Sequence, residues 1–420
     1  MRDDSHLSQL DVLYDGSTLC DEIHIKETST MANSSSENPA TKGYDVWVLA
    51  GQSNMQGCGW LEGVLAPDPR VWSFTSSGEW QIAEEPLHRL WESFTHVHQN
   101  FMRAGMPEAD KQIGDAEWAR RENETRKTGS GLGIAFGKAL ADATSKPIGL
   151  IPAAHGGTSM DQWSPKLKYM GGDSLYGGML ERIQRAGGKL RGILWYQGES
   201  DATTMDLART YAQCFDEWIA TVRADTGIPD LPVIVVQIGR VVEPPDRQGL
   251  WMGWDLVREA LRTLPERVPN TAVTSAVDLP LVDLIHMNTA SLIRLGQRMA
   301  KLALAGQQLG PQVASIERFT APAGLCNAIR VRFSGVTGGW LHTNNLRGFE
   351  VRVPDGQYRM PLYVINAWVD KANGTDVIVL LNREMEPDTQ LGYGLGLNPV
   401  CEMTDAADMP LCSFLPQPVK

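Results

Sequence analysis

A serine, a histidine and an aspartate are the residues of this 420-residue chain whose types and spacing suit acyl-transfer chemistry. Ser53 stands in Gly51-Gln52-Ser53-Asn54-Met55, directly after the apolar run from Tyr44 to Ala50. A tight turn after a buried strand presents a hydroxyl to a crevice. It also aims nearby amide N–H groups at the same spot, where they can receive the negative charge of an attacked carbonyl oxygen. Serine in that position also serves as an ordinary helix cap. The far end of the chain adds weight to the chemical reading. Asp283-Leu284-Ile285-His286 sets a carboxylate three residues before a histidine, ahead of a helical pattern over Thr289–Ala305. That spacing along a turn brings two side chains to one face, so Asp283 can orient His286 and His286 can take the Ser53 proton.

Two more segments follow strand-like runs. Ala154-His155-Gly156-Gly157-Thr158 has paired glycines that permit a tight loop with an exposed amide. Trp195-Tyr196-Gln197-Gly198-Glu199-Ser200-Asp201 ends a run in an amide side chain, and Gln197 is able to donate its NH₂ to an oxyanion. Glu199 and Asp201 read as acids that fix these loops, because no second carboxylate pair suggests glycosidase chemistry. Trp195, Tyr196, Trp251 and Trp254 either stack on a sugar ring or belong to the core.

The elements that must position these residues are short apolar runs at 44–50, 148–152, 192–196, 233–238 and 271–277. Helical stripes lie between them: Leu132, Ala135, Phe136, Ala139 and Leu140; Leu207, Tyr211, Phe215, Trp218 and Val222; Leu292, Leu295, Met299 and Leu302. Strands alternating with helices predict a three-layer α/β/α sandwich around a mostly parallel sheet, over residues 44–310. Residues 85–128 form a long polar and aromatic excursion, read either as a lid or rim of the active edge or as a plain surface insertion. From 311 to 420 the period becomes two, as in Ala328 to Phe333, which predicts a β-rich C-terminal domain. Residues 1–43 are polar and are expected to form a flexible extension, with Met31 as an alternative start.

Thirty-eight basic against fifty acidic residues leave a net charge of -12, which disfavours binding to a nucleic acid backbone. No apolar run approaches the ~18–20 residues of a membrane span, and no signal-like apolar core opens the chain, so a cytoplasmic protein is the expectation. Six cysteines without a CxxC pair make a thiolate metal site unlooked-for, although one or two disulfides stay open. No metal or cofactor is expected, and the oligomeric state is not legible.

Gly51-Gln52-Ser53-Asn54-Met55, Gly156-Gly157-Thr158 with Trp163, Gln197-Gly198-Glu199 and Asp283-x-x-His286 together resemble the sialate O-acetylesterase and acetylxylan esterase group. This group, carbohydrate esterase family six, belongs to the SGNH (GDSL-like) hydrolase superfamily. The resemblance covers about residues 45–305, and the region from 311 resembles the C-terminal part of sialate O-acetylesterase-like proteins more loosely. It implies a flavodoxin-like sheet, Ser53 as nucleophile, His286 as base and Asp283 as its partner. The oxyanion hole would combine the amide of Ser53, that of Gly157 or Gly156, with Gly157 preferred, and the Gln197 side chain. Gln52, Asn54, His155, Gly156 and Glu199 would support loops or touch substrate.

Two positions depart from the group. His155 stands where relatives often carry a small or aromatic residue, and Met287 stands where many have a proline after the histidine. The implied substrate is a small-molecule or oligosaccharide ester, most simply an O-acetylated sugar. A promiscuous carboxylesterase of short-chain or aryl esters is the alternative, and a non-catalytic carbohydrate-binding protein is a third reading.

Overall fold

The computed structural model describes residues 42–243, 249–321, 325–354 and 361–420, so the expected extension over 1–43 falls almost wholly outside the described residues. The first part of the chain contributes strands β1 (Asp45–Gly51), β2 (Gly59–Trp60), β3 (Val71–Phe74), β4 (Trp80–Ile82), β5 (Thr128–Ser130), β6 (Ile148–Pro152), β7 (Lys189–Tyr196), β8 (Val233–Gln237) and β9 (Thr271–Ser275). Its helices are α1 (Ser53–Gln56), α2 (His96–Ala104), α3 (Asp115–Thr125), α4 (Gly133–Thr144), α5 (Leu175–Ala186), α6 (Met205–Thr226), α7 (Trp254–Arg262), α8 (Leu264–Arg267) and α9 (Thr289–Ala305).

The main sheet runs β4-β3-β6-β1-β7-β8-β9, parallel throughout except for the antiparallel edge strand β4. The five apolar runs are its contiguous strands β6-β1-β7-β8-β9, in the flavodoxin-like order 2-1-3-4-5, with β9 at the edge. These strands are continuous apolar runs because helices cover both faces. Trp47 meets Phe136 of α4 on one face, while Trp195 packs on Phe215 and Trp218 of α6 on the other. The hairpin β3–β4 extends the sheet beyond β6 and has no counterpart in the sequence reading. Strands of four and three residues are too short to show a period.

The C-terminal region is antiparallel β structure: β10 (Gln312–Ala321), β11 (Leu325–Ser334), β12 (Phe349–Arg352), β13 (Val364–Val369), β14 (Val377–Leu381), β15 (Gln390–Tyr393) and β16 (Phe414–Pro418). They form sheets β10-β11-β14-β13 and β12-β15-β16 around Ile329, Val331, Val379, Tyr393 and Phe414. This region is keyed into the α/β layers. Met409 and Cys412 belong to the main core, and Gln237 of β8 exchanges two 2.8 Å hydrogen bonds with the backbone of Ser413. Arg298 of α9, fully buried, bridges Asp278 and Asp408. No helix among the described residues is long and apolar enough to cross a membrane.

Candidate active site

Strand β1 delivers Ser53 at the point where the strand order reverses, between the carboxyl ends of β1 and β7. Two contacts force the chain out of the sheet there. The Gln52 N–H donates to Tyr196 O at 2.9 Å, and Gly51 (φ +133°) passes so close to β7 that a Cβ would lie 2.2 Å from Tyr196 O. Only glycine fits that conformation and that gap.

His286 comes from the loop between β9 and α9. Its Nε2 lies 3.0 Å from Ser53 Oγ and its Nδ1 lies 2.7 Å from Asp283 Oδ2. The other carboxylate oxygen accepts the N–H groups of Ile285 and His286, both at 2.8 Å, so the backbone turn fixes Asp283. Partial burial pushes the Asp283 carboxyl up, but those N–H groups and the imidazole hold it below its ordinary value. Met287 creates no break: Asn288 caps α9, its side chain accepting from Ser291 N at 2.8 Å.

Asn54 ties the serine loop to the histidine loop. It is buried, donates to Glu199 Oε1 at 2.9 Å, and accepts the Met287 N–H at 3.0 Å. Burial raises the Glu199 carboxyl, whose second oxygen has no partner among the described residues. The spacing of Ser53 and His286 in the chain says nothing of this clamp, although Asn54 and Glu199 both lie in the motifs.

The Gly156-Gly157 loop abuts the serine, with a Cβ on Gly156 reaching 3.3 Å from Ser53 Cβ. Gly156 N–H is already committed to Gln56 Oε1 at 2.8 Å. Among the described residues no hydrogen bond takes the N–H of Ser53 or of Gly157. Gln197 departs from the expectation. It is fully buried, and its Nε2 donates to Thr158 O at 2.9 Å and to Asp201, with Gln52 Oε1 at 3.4 Å. Its amide protons therefore brace the loops behind the crevice, and this side chain offers no free donor to an oxyanion. Asp201, pushed up to about 6 by burial, also accepts from Met160 N.

Cys58 is a neighbour that the sequence reading passed over. Its thiol donates to Ser53 O at 3.4 Å. Burial pulls the His286 imidazole down, but the neighbouring Cys58 and then Asp283 outweigh it and carry the ring up to about 9. The described cysteines Cys58, Cys214, Cys401 and Cys412 are all free thiols.

Of the two readings open for the aromatics, the structure bears out the core one: Trp195, Tyr196 and Trp254 are fully buried and Trp251 nearly so. The tryptophan that does face solvent, at 50% exposure, is Trp60, whose backbone oxygen accepts from Thr289 Oγ1 at 2.6 Å. An open groove of about 1080 Å³, lined by Lys168, Lys189, Arg191 and Asp225, lies at the amino end of β7, away from Ser53. No cluster of His, Cys, Asp and Glu among the described residues is arranged to hold a metal ion.

Residues 43–305, more than half of the chain, match the family model described as carbohydrate esterase, sialic acid-specific acetylesterase. The chain belongs to this family. Members are carboxylic ester hydrolases, and the match spans all of the geometry just described. A probable carbohydrate esterase of Arabidopsis thaliana is 29% identical over 282 residues, covering 62% of this esterase and 90% of the plant protein. Human sialate O-acetylesterase is 27% identical over 203 residues, which are 42% of this chain and 35% of the human one. The structure of a carbohydrate acetylesterase from Xanthomonas citri superposes with a TM-score of 0.60 at 21% identity, over 88% of this chain and 80% of that one. It shares the fold.

Proposed function

We propose that this esterase removes O-acetyl groups from carbohydrates through a Ser53–His286–Asp283 acyl-enzyme mechanism. The observation that carries the reading is the unbroken relay from Ser53 Oγ to His286 Nε2 at 3.0 Å and from His286 Nδ1 to Asp283 Oδ2 at 2.7 Å. His286 takes the proton as Ser53 Oγ attacks the ester carbonyl, and Asp283 holds the ring in the tautomer that leaves Nε2 free to accept it. The unengaged N–H groups of Ser53 and Gly157 receive the charge on the carbonyl oxygen. His286 then gives its proton to the sugar oxygen as the C–O bond breaks, so that the sugar leaves with a free hydroxyl. Water, activated by the same ring, releases acetate and restores Ser53.

The test is carboxylic acid release by wild type and Ser53→Ala from acetylated xylooligosaccharides, O-acetylated sialic acid and nitrophenyl esters from acetate to octanoate. Serine-dependent preference for one acetylated sugar supports the reading and names the substrate. Removal of the nucleophile is expected to cost about 10⁶ in kcat. A second reading, a carboxylesterase of short-chain or aryl esters, draws on the exposed Leu284 beside His286 and on Val242, whose N–H donates to Leu284 O at 2.8 Å. Activity confined to the nitrophenyl series would favour that apolar shoulder. Equal hydrolysis by Ser53→Ala would end both.

A further inference from the structure

We infer that His98, carried into the molecule by the segment 85–128, positions the Gly157 amide of the oxyanion site through the ring of His155. The inference rests on the serine-esterase reading above. The loop holding Gly157 is anchored by its backbone to the sheet and its own turn. His155 N–H donates to Gly51 O at 3.0 Å, Thr158 Oγ1 donates to His155 O at 2.7 Å, and Gly156 N–H donates to Gln56 Oε1. The His155 side chain has a different anchor. Its Nδ1 lies 3.0 Å from His98 Nδ1, with the two ring planes within 14° of parallel, and the edge of Phe101 packs on it at 5.1 Å. Both His98 and Phe101 sit on α2, so this helix reaches the residue next to the oxyanion glycines.

The chemistry of the pair supports a positioning role over a purely packing one. Helix α2 fully buries only Val97 and His98. Two apolar rings would fill the same space without desolvating polar nitrogens, so a buried His–His hydrogen bond adds direction more than stability. A bond between two Nδ1 atoms requires one ring to carry the proton there and the other to accept it, which fixes both ring orientations. Burial holds both rings neutral. His155 is brought down to about 4, and His98 well below its ordinary value, with His155, Arg182 of α5 and His88 adding to the burial effect on His98. The donor–acceptor arrangement therefore persists at neutral pH. Gly157 (φ +70°) has open space where a side chain would stand, so sterics alone do not hold its N–H direction.

The experiment compares wild type, His98→Phe and His98→Asn with nitrophenyl acetate, scaling rates to sites titrated by a fluorophosphonate. A boronic acid, which forms a tetrahedral adduct on serine, reads the oxyanion site without turnover. Complete loss of an oxyanion donor costs about 10²–10³, so a misdirected one is expected to lower kcat about tenfold in His98→Phe, with KM changed less than twofold. Boronate affinity should fall in parallel, and His98→Asn, which keeps a hydrogen bond to His155, should recover most of the loss. His155→Phe breaks the pair from the other side and replaces the first variant if that does not fold. Folded variants with unchanged kcat per titrated site and unchanged boronate affinity would overturn the inference, even with a lowered Tm. A wild type neither active on esters nor labelled by fluorophosphonate would instead overturn the underlying reading, and this inference with it.

Discussion

Replacing Cys58 by alanine should move the pH dependence of hydrolysis toward neutrality. His286 accepts the Ser53 proton only when its ring is uncharged, so kcat/KM rises with pH through the ring's pKa and levels off above it. In the intact protein that value is raised to about 9, because Cys58 and Asp283 together outweigh burial. At pH 7 roughly one ring in a hundred is then the competent base, and at pH 8 roughly one in ten. Alanine at 58 withdraws the thiol, leaving Asp283 alone against burial, so the midpoint falls and the rate at pH 7 rises. The ceiling on that gain is about 100-fold, the whole deficit set by protonation. The assay is kcat/KM for nitrophenyl acetate from pH 5.5 to 10, with the rate of fluorophosphonate labelling as a probe that needs no turnover. The same shift has a stability signature. A histidine raised on folding contributes stability fully below about 6.5 and loses it as pH rises to about 9, so the unfolding midpoint should decline over that window and decline less in Cys58→Ala. A wild-type midpoint near 6.5, identical in Cys58→Ala, would refute the reasoning.

Gly51→Ala should destabilise the chain by more than about 3 kcal/mol, because its Cβ would meet the backbone oxygen of Tyr196 between two central strands and the φ of +133° is unfavourable for alanine. Urea unfolding or loss of soluble protein reads this directly. Asn54→Ala strips Glu199 of a hydrogen bond and leaves Met287 N–H without its acceptor, at about 1–3 kcal/mol each. By loosening the histidine loop it should also lower kcat about 10–100-fold with little change in KM, which steady-state kinetics would show. Arg298→Met removes the buried cation between Asp278 and Asp408 and leaves them only the more exposed Arg294, an expected loss of about 3 kcal/mol by chemical denaturation.

What was legible in the sequence follows from how locally each feature is encoded. The runs ending at Ala50, Pro152, Tyr196, Ile238 and Val277 are apolar because both faces of a parallel sheet are covered, and five of its strands follow from that texture alone. Ser53 and the Asp283–His286 pair were visible because a strand end and a three-residue spacing each restrict where side chains go. Contacts made across the chain were not visible. Gln56 reaching Gly156, His98 reaching His155 and Cys58 beside His286 depend on loop geometry that no spacing records. The choice between stacking and core for the aromatics was open for a related reason. Trp195 and Tyr196 alternate sides on a strand covered on both faces, so both are interior, and the exposed Trp60 lies on the two-residue strand β2. Gln197 was assigned by motif, yet the direction of its amide is set by Asp201 one turn further along.

The keying of the final segment into the α/β layers has a consequence for how the chain matures. Met409, Cys412 and Ser413 complete the packing and hydrogen bonding around β8, a strand that leaves the ribosome about 170 residues earlier. During synthesis the sheet therefore waits with the two Gln237 hydrogen bonds to Ser413 unmade and an apolar seam open until the C-terminal strands emerge. Translation that stops short of residue 409 would leave that seam exposed to chaperones and proteases even though Ser53, Asp283 and His286 had all been made.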